Sequence, residues 1–274
     1  AGLSAVLSDM MSLPEWITYA KVRGSYTVVA SSFDRFLTNP GYEYNGQTHN
    51  WENPTVFPMD NMKPEKTKSW EIGLNLKFWE NRFSLDATYY RSNTLNQTFM
   101  VDIPSSSGYN KAIVQAGNVQ NQGVELEINS KNIVSKDFDW STSFTLSHNK
   151  NKIVKLDGEQ TQIISGSQIH MIGKSYRTFY MIEFAGINPE TGAPQFYTND
   201  VDENGNYIKE ITENNKDAKA IPLKKHAEPN VTGGLSNTLR YKWFDLSFMF
   251  SYQFGAYGYD NWAQKTEHGG KDFT

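Results

Sequence analysis

Between Met62 and Arg91 the chain reads MKPEKTKSWEIGLNLKFWENRFSLDATYYR, with apolar and polar positions alternating strictly along two stretches joined at Glu80-Asn81. Side chains on a strand alternate with period 2, so Trp70, Ile72, Leu74, Leu76 and Phe78 share one face. Ser69, Glu71, Gly73, Asn75 and Lys77 share the other. The pattern resumes after the turn with Phe83, Leu85, Ala87 and Tyr89 against Ser84, Asp86, Thr88 and Tyr90, which predicts an antiparallel hairpin with matching faces. A slip of one residue would invert every side chain.

The same alternation and the turn signals between its runs predict about seven strands, at roughly 16 to 30, 67 to 78, 82 to 101, 112 to 130, 138 to 150, 229 to 242 and 244 to 257. The last carries Phe244, Leu246, Phe248, Phe250, Tyr252 and Phe254 against Asp245, Ser247, Met249, Ser251 and Gln253. In 138 to 147, Phe138, Trp140, Thr142, Phe144 and Leu146 oppose Asp139, Ser141, Ser143, Thr145 and Ser147. In 231 to 241, Val231, Leu235, Leu239 and Tyr241 oppose Thr232, Ser236, Thr238 and Arg240. Short turns at Trp79 to Arg82, Lys131 to Asp137 and Tyr241 to Phe244 contrast with long segments at 31 to 66 and 151 to 228, rich in Gly, Pro, Asn and Asp. Outer-membrane barrels sort their connections this way, with short periplasmic turns and long extracellular loops.

Any sheet with one wet face alternates, so the position of the aromatics matters. Trp70 and Phe78 are separated by about 26 Å of strand, or about 20 Å along a membrane normal at a tilt of about 40°. A lipid-facing band is about 25 Å tall, with aromatic girdles at both rims. Trp79, Trp140, Trp243 and Phe244 gather beside the short turns, as a periplasmic girdle would. The expected class is therefore all-β, a partial antiparallel transmembrane β-barrel. A soluble β-sandwich that binds glycans is the alternative from another class, and it requires Phe244 to Phe254 to face protein.

Composition narrows the function. Aromatic residues make up 14% of the chain, a heavy load beside a mean hydropathy of −0.60. No run of about 18 apolar residues offers a transmembrane helix, a test to which a barrel is blind because only alternate residues meet lipid. The net charge of −4 and the lack of a dense Lys/Arg stripe leave nucleic-acid binding without an electrostatic footprint. Without cysteine there are no disulfides, thiolate metal sites or cysteine nucleophiles. The opening AGLSAVLSDMMSLPEW lacks a basic n-region and a small-residue cleavage site, the pattern of a cytosolic protein or of an internal piece of a longer chain. Seven strands do not close a barrel, and GGKDFT ends inside what reads as a loop, so a fragment is expected.

Several blocks carry a family resemblance. KPEKTKSWEIGLNLKFWENRFSLDATYYRSNT, GNVQNQGVELEIN, DFDWSTSFTLSHNKNKIVKL and EPNVTGGLSNTLRYKWFDLSFMFSYQFG, preceded by LPEWITYAKVRGSYTVV, resemble in order the C-terminal barrel region of SusC/RagA-type TonB-dependent outer-membrane transporters. The resemblance implies a parent roughly four times this length, with a plugged barrel of about 22 strands. In it, residues 1 to 274 would be a partial C-terminal barrel domain, with 31 to 66 and 151 to 228 as long extracellular loops. It further implies the outer membrane of a Gram-negative bacterium, a SusD-like surface lipoprotein, energy from the TonB complex through N-terminal regions outside this segment, and uptake of oligosaccharides or peptides. A siderophore- or cobalamin-type receptor is the alternative within the class.

No enzyme or cofactor is expected. GxSxG, Gly-rich phosphate loops and HExxH are absent, and the histidines at 49, 148, 170, 226 and 268 show no metal-ligand spacing. Glu125 and Glu127 fall on a polar strand face, as hydrated lumenal groups. DVDENG, with Asp200, Asp202 and Asn204, opens like an EF-hand loop, but its twelfth position is Ile211 and not Glu. The competing reading is a hairpin over 195 to 212 with Asn204-Gly205 in a type I′ turn. Tyr42, Tyr44, Trp51, Tyr109, Tyr176, Phe179 and Tyr180 lie in or beside the loops, where flat rings next to Asn, Gln and Asp could stack on sugars or pack the loops together.

Overall fold

The computed structural model describes residues 1–34, 37–156 and 161–266. Its frame is one antiparallel meander of eight strands: β1 (Gly2–Val6), β2 (Ile17–Ser31), β3 (Glu65–Phe78), β4 (Phe83–Asp102), β5 (Lys111–Val134), β6 (Phe138–Lys155), β7 (Val231–Tyr241) and β8 (Phe244–Phe254). Each strand pairs with its neighbours in the chain. The short segment Val56–Phe57 adds a parallel pairing against Lys111 and Ala112 of β5.

The registers are the ones the alternation predicts. Leu74 lies opposite Ala87, Asn75 opposite Asp86, and Phe78 opposite Phe83. Further along, Leu126 pairs with Leu146, Phe144 with Leu235, and Leu235 with Phe250, so one apolar face runs unbroken from β3 to β8. No second sheet among the described residues covers it: Phe250 is 63% and Phe254 64% exposed. That exposure overturns the β-sandwich alternative, which needs those rings buried against protein.

The frame differs from the expected seven strands by one. Gly2–Val6 pairs with Lys21–Ser25, although only Leu3 and Ala5 of GLSAV mark a face, too few for periodicity to reveal. Strands β5 and β6 also run further than predicted, so the turn expected over Lys131 to Asp137 shrinks to 135–137. A bulge between Lys131 and Ile133 carries β5 past the point where its alternation breaks.

At the short-turn end, Trp79, Glu80 and Asn81 all adopt left-handed backbone (φ 48°, 56° and 66°), and the Arg82 N–H donates to the Trp79 carbonyl at 3.0 Å. Positive φ at Glu80 and Asn81 matches the twist of a tight hairpin. Trp16 stacks on Phe78 at 5.6 Å, and Phe78 touches both Trp79 and Phe83. Of the girdle expected beside the short turns, Trp79 is in this cluster, and Trp16, Phe78 and Phe83 are members that the expectation did not include.

At the opposite end, β4 and β5 project beyond the rest of the sheet. Phe99, Val101 and Val119 from them meet Ile153, Leu156 and Ile163 in the main buried apolar cluster. The long connection after β6 builds small sheets of its own. Gln162–Ser165, Gln168–Met171, Thr178–Met181 and Ile221–His226 form one, and Phe184–Ile187, Pro194–Tyr197 and Ile211–Thr212 another.

Candidate functional site

On the polar face, alternation brings charge to the middle of the wall. Arg23 of β2 forks onto Asp86 of β4 with two bonds of 2.8 Å and donates to the Thr88 hydroxyl at 2.6 Å. Asn75 of β3, between them in the sheet, donates to Asp86 at 2.9 Å. Gly73 leaves room for this, because a Cβ there would strike the Arg23 side chain. Glu125 and Glu127 stand beside the fork along a groove of about 420 Å³. A second polar groove, of about 370 Å³ and nearer the short turns, includes Lys77, Ser84, Asn129 and Lys131.

The long-loop end places the predicted aromatics in two settings. Tyr44 and Trp51 pair across the small hairpin Glu43–Asn45/Asn50–Glu52 and meet edge-on at 5.4 Å, with Trp51 70% exposed. Glu43, Glu52 and the exposed Tyr42 line an adjoining groove of about 500 Å³, closed on one side by Val56 and Ile113. Tyr109 belongs to the same region: it meets Phe57 edge-on at 5.2 Å, and Asn110 donates to the Thr55 carbonyl. Tyr176 and Phe179 are placed otherwise. Tyr176 stacks on His170 and meets Phe99 at a tilt, and Phe179 is buried in the sheet of the second loop. Tyr180 is half-buried on the same strand, its N–H bonded to the Ser167 carbonyl.

Three titratable groups in the loops are perturbed. Burial, and then the nearby Arg177 charge, push the His170 imidazole below its ordinary value, and burial raises the Tyr176 phenol. The Asp202 carboxyl is held below the usual carboxylate range by Asn206, whose backbone and side chain both donate to it, and by the Asn204 N–H. Those bonds make Asp202 the cap of a hairpin between Asp200–Val201 and Tyr207–Ile208. Its turn differs from the expected type I′. Gly205 donates to the Asp202 carbonyl and alone takes positive φ (82°), so Glu203 and Asn204 occupy the centre and Gly205 the bulge position. Asp200 points elsewhere and pairs with Lys219 at 2.5 Å. Among the described residues no three His, Cys, Asp or Glu side chains converge as metal ligands, and His268 lies outside those residues.

The family model described as "TonB dependent receptor-like, beta-barrel" matches residues 12–263. The chain belongs to this family. TonB-dependent receptor P3 of Formosa agariphila is 34% identical over 215 residues, covering 74% of this chain and 22% of the relative. TonB-dependent receptor SusC of Bacteroides thetaiotaomicron is 29% identical over 232 residues, 80% of this chain and 22% of the relative. The chain thus spans about a fifth of the length of these curated relatives. Among solved structures, the RagAB peptide transporter superposes with a TM-score of 0.78 at 23% identity, over 93% of this chain and 29% of that one.

As a segment of a TonB-dependent barrel in a Gram-negative outer membrane, the sheet acquires directions. The apolar face meets lipid, which explains its exposed Phe, Leu and Trp side chains without a covering layer. The polar face, with Arg23, Asp86, Glu125 and Glu127, looks into the lumen. The short turns and the long loops stand at opposite ends of the wall. Sequence reasoning missed Arg23 because its partner lies 63 residues away. The available signal was Arg23 on the same face as Lys21 and Ser25, within a strand whose other face is apolar.

Proposed function

We propose that this chain is the C-terminal barrel segment of a SusC-like importer, with 31 to 66 and 151 to 228 as its extracellular loops. That importer takes up oligosaccharides or peptides across the outer membrane. TonB supplies the energy through regions outside this segment, and a SusD-like surface lipoprotein presents the ligand. The observation that carries the reading is the 34% identity with TonB-dependent receptor P3 over 74% of the chain, supported by the SusC relationship. The RagAB likeness, which is one of fold, keeps peptides beside oligosaccharides.

The contribution of this segment is wall, lumen lining and ligand-facing loop. It performs no catalytic step. Tyr42, Tyr44 and Trp51 are the strongest ligand contacts, because they are exposed beside a groove that also offers Glu43 and Glu52. Flat rings beside hydrogen-bonding groups suit sugar faces and equally suit peptide backbone. Tyr109 flanks this site, while Tyr176, Phe179 and Tyr180 support the second loop.

The test is growth of a strain lacking the complete gene on single glycans and on peptides as sole nutrient, with complementation, alongside purification of the protein from native outer membranes. Loss of growth on one nutrient class and a co-purifying lipoprotein are expected. Unimpaired growth on every glycan and peptide tried, with a defect confined to iron or cobalamin supply, would overturn the reading in favour of a chelate receptor.

A further inference from the structure

The charges on the two faces of the wall are sorted differently. The lumenal side carries both signs, with Arg23, Lys77 and Lys131 among Glu71, Asp86, Glu125 and Glu127. On the lipid side, following the registers from Ala20 to Ala30, Lys66 to Phe78, Phe83 to Leu95, Asn118 to Ser130, Trp140 to Lys152, Val231 to Tyr241 and Phe244 to Phe254, there is no carboxylate. The charged residues there are Lys66, Lys68, Arg91, Lys150 and Lys152. All five lie extracellular to the row Ile72, Tyr89, Val124, His148 and Val231.

This row of cations leads to a built concavity. Strand β7 stops pairing at the Asn149 N–H, which donates to the Asn230 carbonyl; the next partner on that edge of β6 is the 173–174 turn, which exchanges two bonds with Ile153. The gap between them is a groove of about 400 Å³. Lys150 and Lys152 line it from the strand, and Lys174, Lys224 and His226 from the loop. No acid lines it, and none of the four lysines has an ion pair among the described residues. Glu228, close by in the chain, is taken up by Arg177. The His226 Nδ1 is buried and without a hydrogen-bond partner among the described residues. Four mutually repelling ammonium groups around a concavity are stabilised by a bound anion.

We infer that this groove is a binding site for the phosphorylated head group of an outer-leaflet glycolipid, with Lys150, Lys152, Lys174 and Lys224 as its phosphate-holding residues. Continuity decides for lipid over a soluble anion. Lys150 and Lys152 stand on the side of β6 that meets lipid at Phe144 and Leu146, so acyl chains lying on that face bring a head group to the lysines. Lys66, Lys68 and Arg91 extend the positive rim along the neighbouring strands. The inference rests on the membrane placement of the wall and is independent of what is imported.

Native mass spectrometry of the complete transporter in detergent tests it, with monophosphorylated lipid A as probe and its dephosphorylated counterpart as control. The wild type is expected to retain the phosphorylated lipid and to release the control. A Lys150→Gln/Lys152→Gln/Lys174→Gln/Lys224→Gln variant should lose retention by roughly fivefold per lysine removed. The corresponding fourfold Lys→Arg variant, which keeps charge, should retain the lipid; heat-modifiable migration on gels checks that both variants are folded. Equal retention by wild type and the folded Gln variant would overturn the proposal. So would displacement of the lipid by millimolar inorganic phosphate or by a free sulfated oligosaccharide, which would make the groove a soluble-anion site. Nutrient uptake by the Gln variant is expected to be unchanged, so failure here leaves the import reading standing.

Discussion

Tyr252 of β8 lies directly across from Gly233 of β7, and its hydroxyl passes over the glycine to donate to the Thr145 carbonyl of β6 at 2.8 Å. A Cβ at Gly233 would collide with both that carbonyl oxygen and the Tyr252 hydroxyl. The device recurs on the lumenal face, where Tyr90 lies across from Gly123 and reaches Asn149 at 3.2 Å. In each case an aromatic ring covers the glycine and ties three strands together, which pins register where the glycine alone would weaken it.

Gly233→Ala should therefore destabilise the barrel, although a Gly-to-Ala change within a strand ordinarily stabilises. Because the obstacle includes backbone, a cost of about 1 to 3 kcal/mol is expected. Urea unfolding of the complete protein in detergent measures it, and Gly234→Ala, with ordinary contact distances, is the comparison. Equal stability of the two variants would refute the role assigned to the Tyr252 bridge.

Facing predicts a second contrast. Phe248→Arg places a charge on the lipid side and should cost about 2 to 4 kcal/mol near the bilayer midplane, whereas Ser247→Arg faces the lumen and should be much milder. Folding yields into lipid vesicles for the two variants provide the reading. Equal losses would reverse the face assignment.

Asn237 predicts a third. It sits on the lipid side, 9% exposed, where its Oδ1 accepts from Trp140 Nε1 at 3.0 Å and from the Thr142 hydroxyl at 2.7 Å. Asn132 donates to Thr142 in turn at 2.7 Å, so polar groups in a lipid-facing row satisfy one another. Asn237→Leu leaves those donors unpaired and is expected to cost about 1 to 3 kcal/mol despite the gain in hydrophobicity. An Asn237→Leu variant at least as stable as wild type would show that the chain carries no net stabilisation.

The fourth concerns pH. His170, 5% exposed, packs in a three-ring cluster with Phe99 at 4.7 Å and Tyr176 at 5.0 Å. Its folded pKa is depressed, so the folded loop binds fewer protons than the unfolded one. Its stability is then full above the unfolded value of about 6.5 and falls as pH drops from there towards the folded value. Protection of the amides in residues 162–181, exchange being taken relative to its intrinsic rate at each pH, should fall in wild type as pH drops below about 6.5, and His170→Phe should remove that fall. A pH dependence unchanged in His170→Phe would place its origin elsewhere.

What could be read from the residues depended on distance along the chain. The hairpin 65–102 was legible because each face is written every second residue and the turn is local. The same holds for β7 and β8 and for the girdle at Trp79 and Trp243. The Asn204-Gly205 turn was legible as a hairpin but not in type, because Asp202 accepting the Asn204 and Asn206 amides selects the bulged form. The loop aromatics Tyr42, Tyr44 and Tyr176 look alike as letters. Contacts with Phe99 and His170, 77 and 6 residues away from Tyr176, made one of them core and left the others exposed.

Period-2 alternation and turn chemistry therefore determined by themselves that this chain is antiparallel β with one apolar and one polar face, and the uncovered apolar face of the tertiary structure decided for a wall over a sandwich. Those signals are local, and a strand's face is set by its own residues. The pairing of Arg23 with Asp86, the tyrosine bridges over Gly123 and Gly233, and the lysine groove at the edge of β6 were decided by the tertiary structure. Each joins groups from strands or loops far apart in sequence, and strand register and loop folding, which no single segment encodes, bring them within bonding distance.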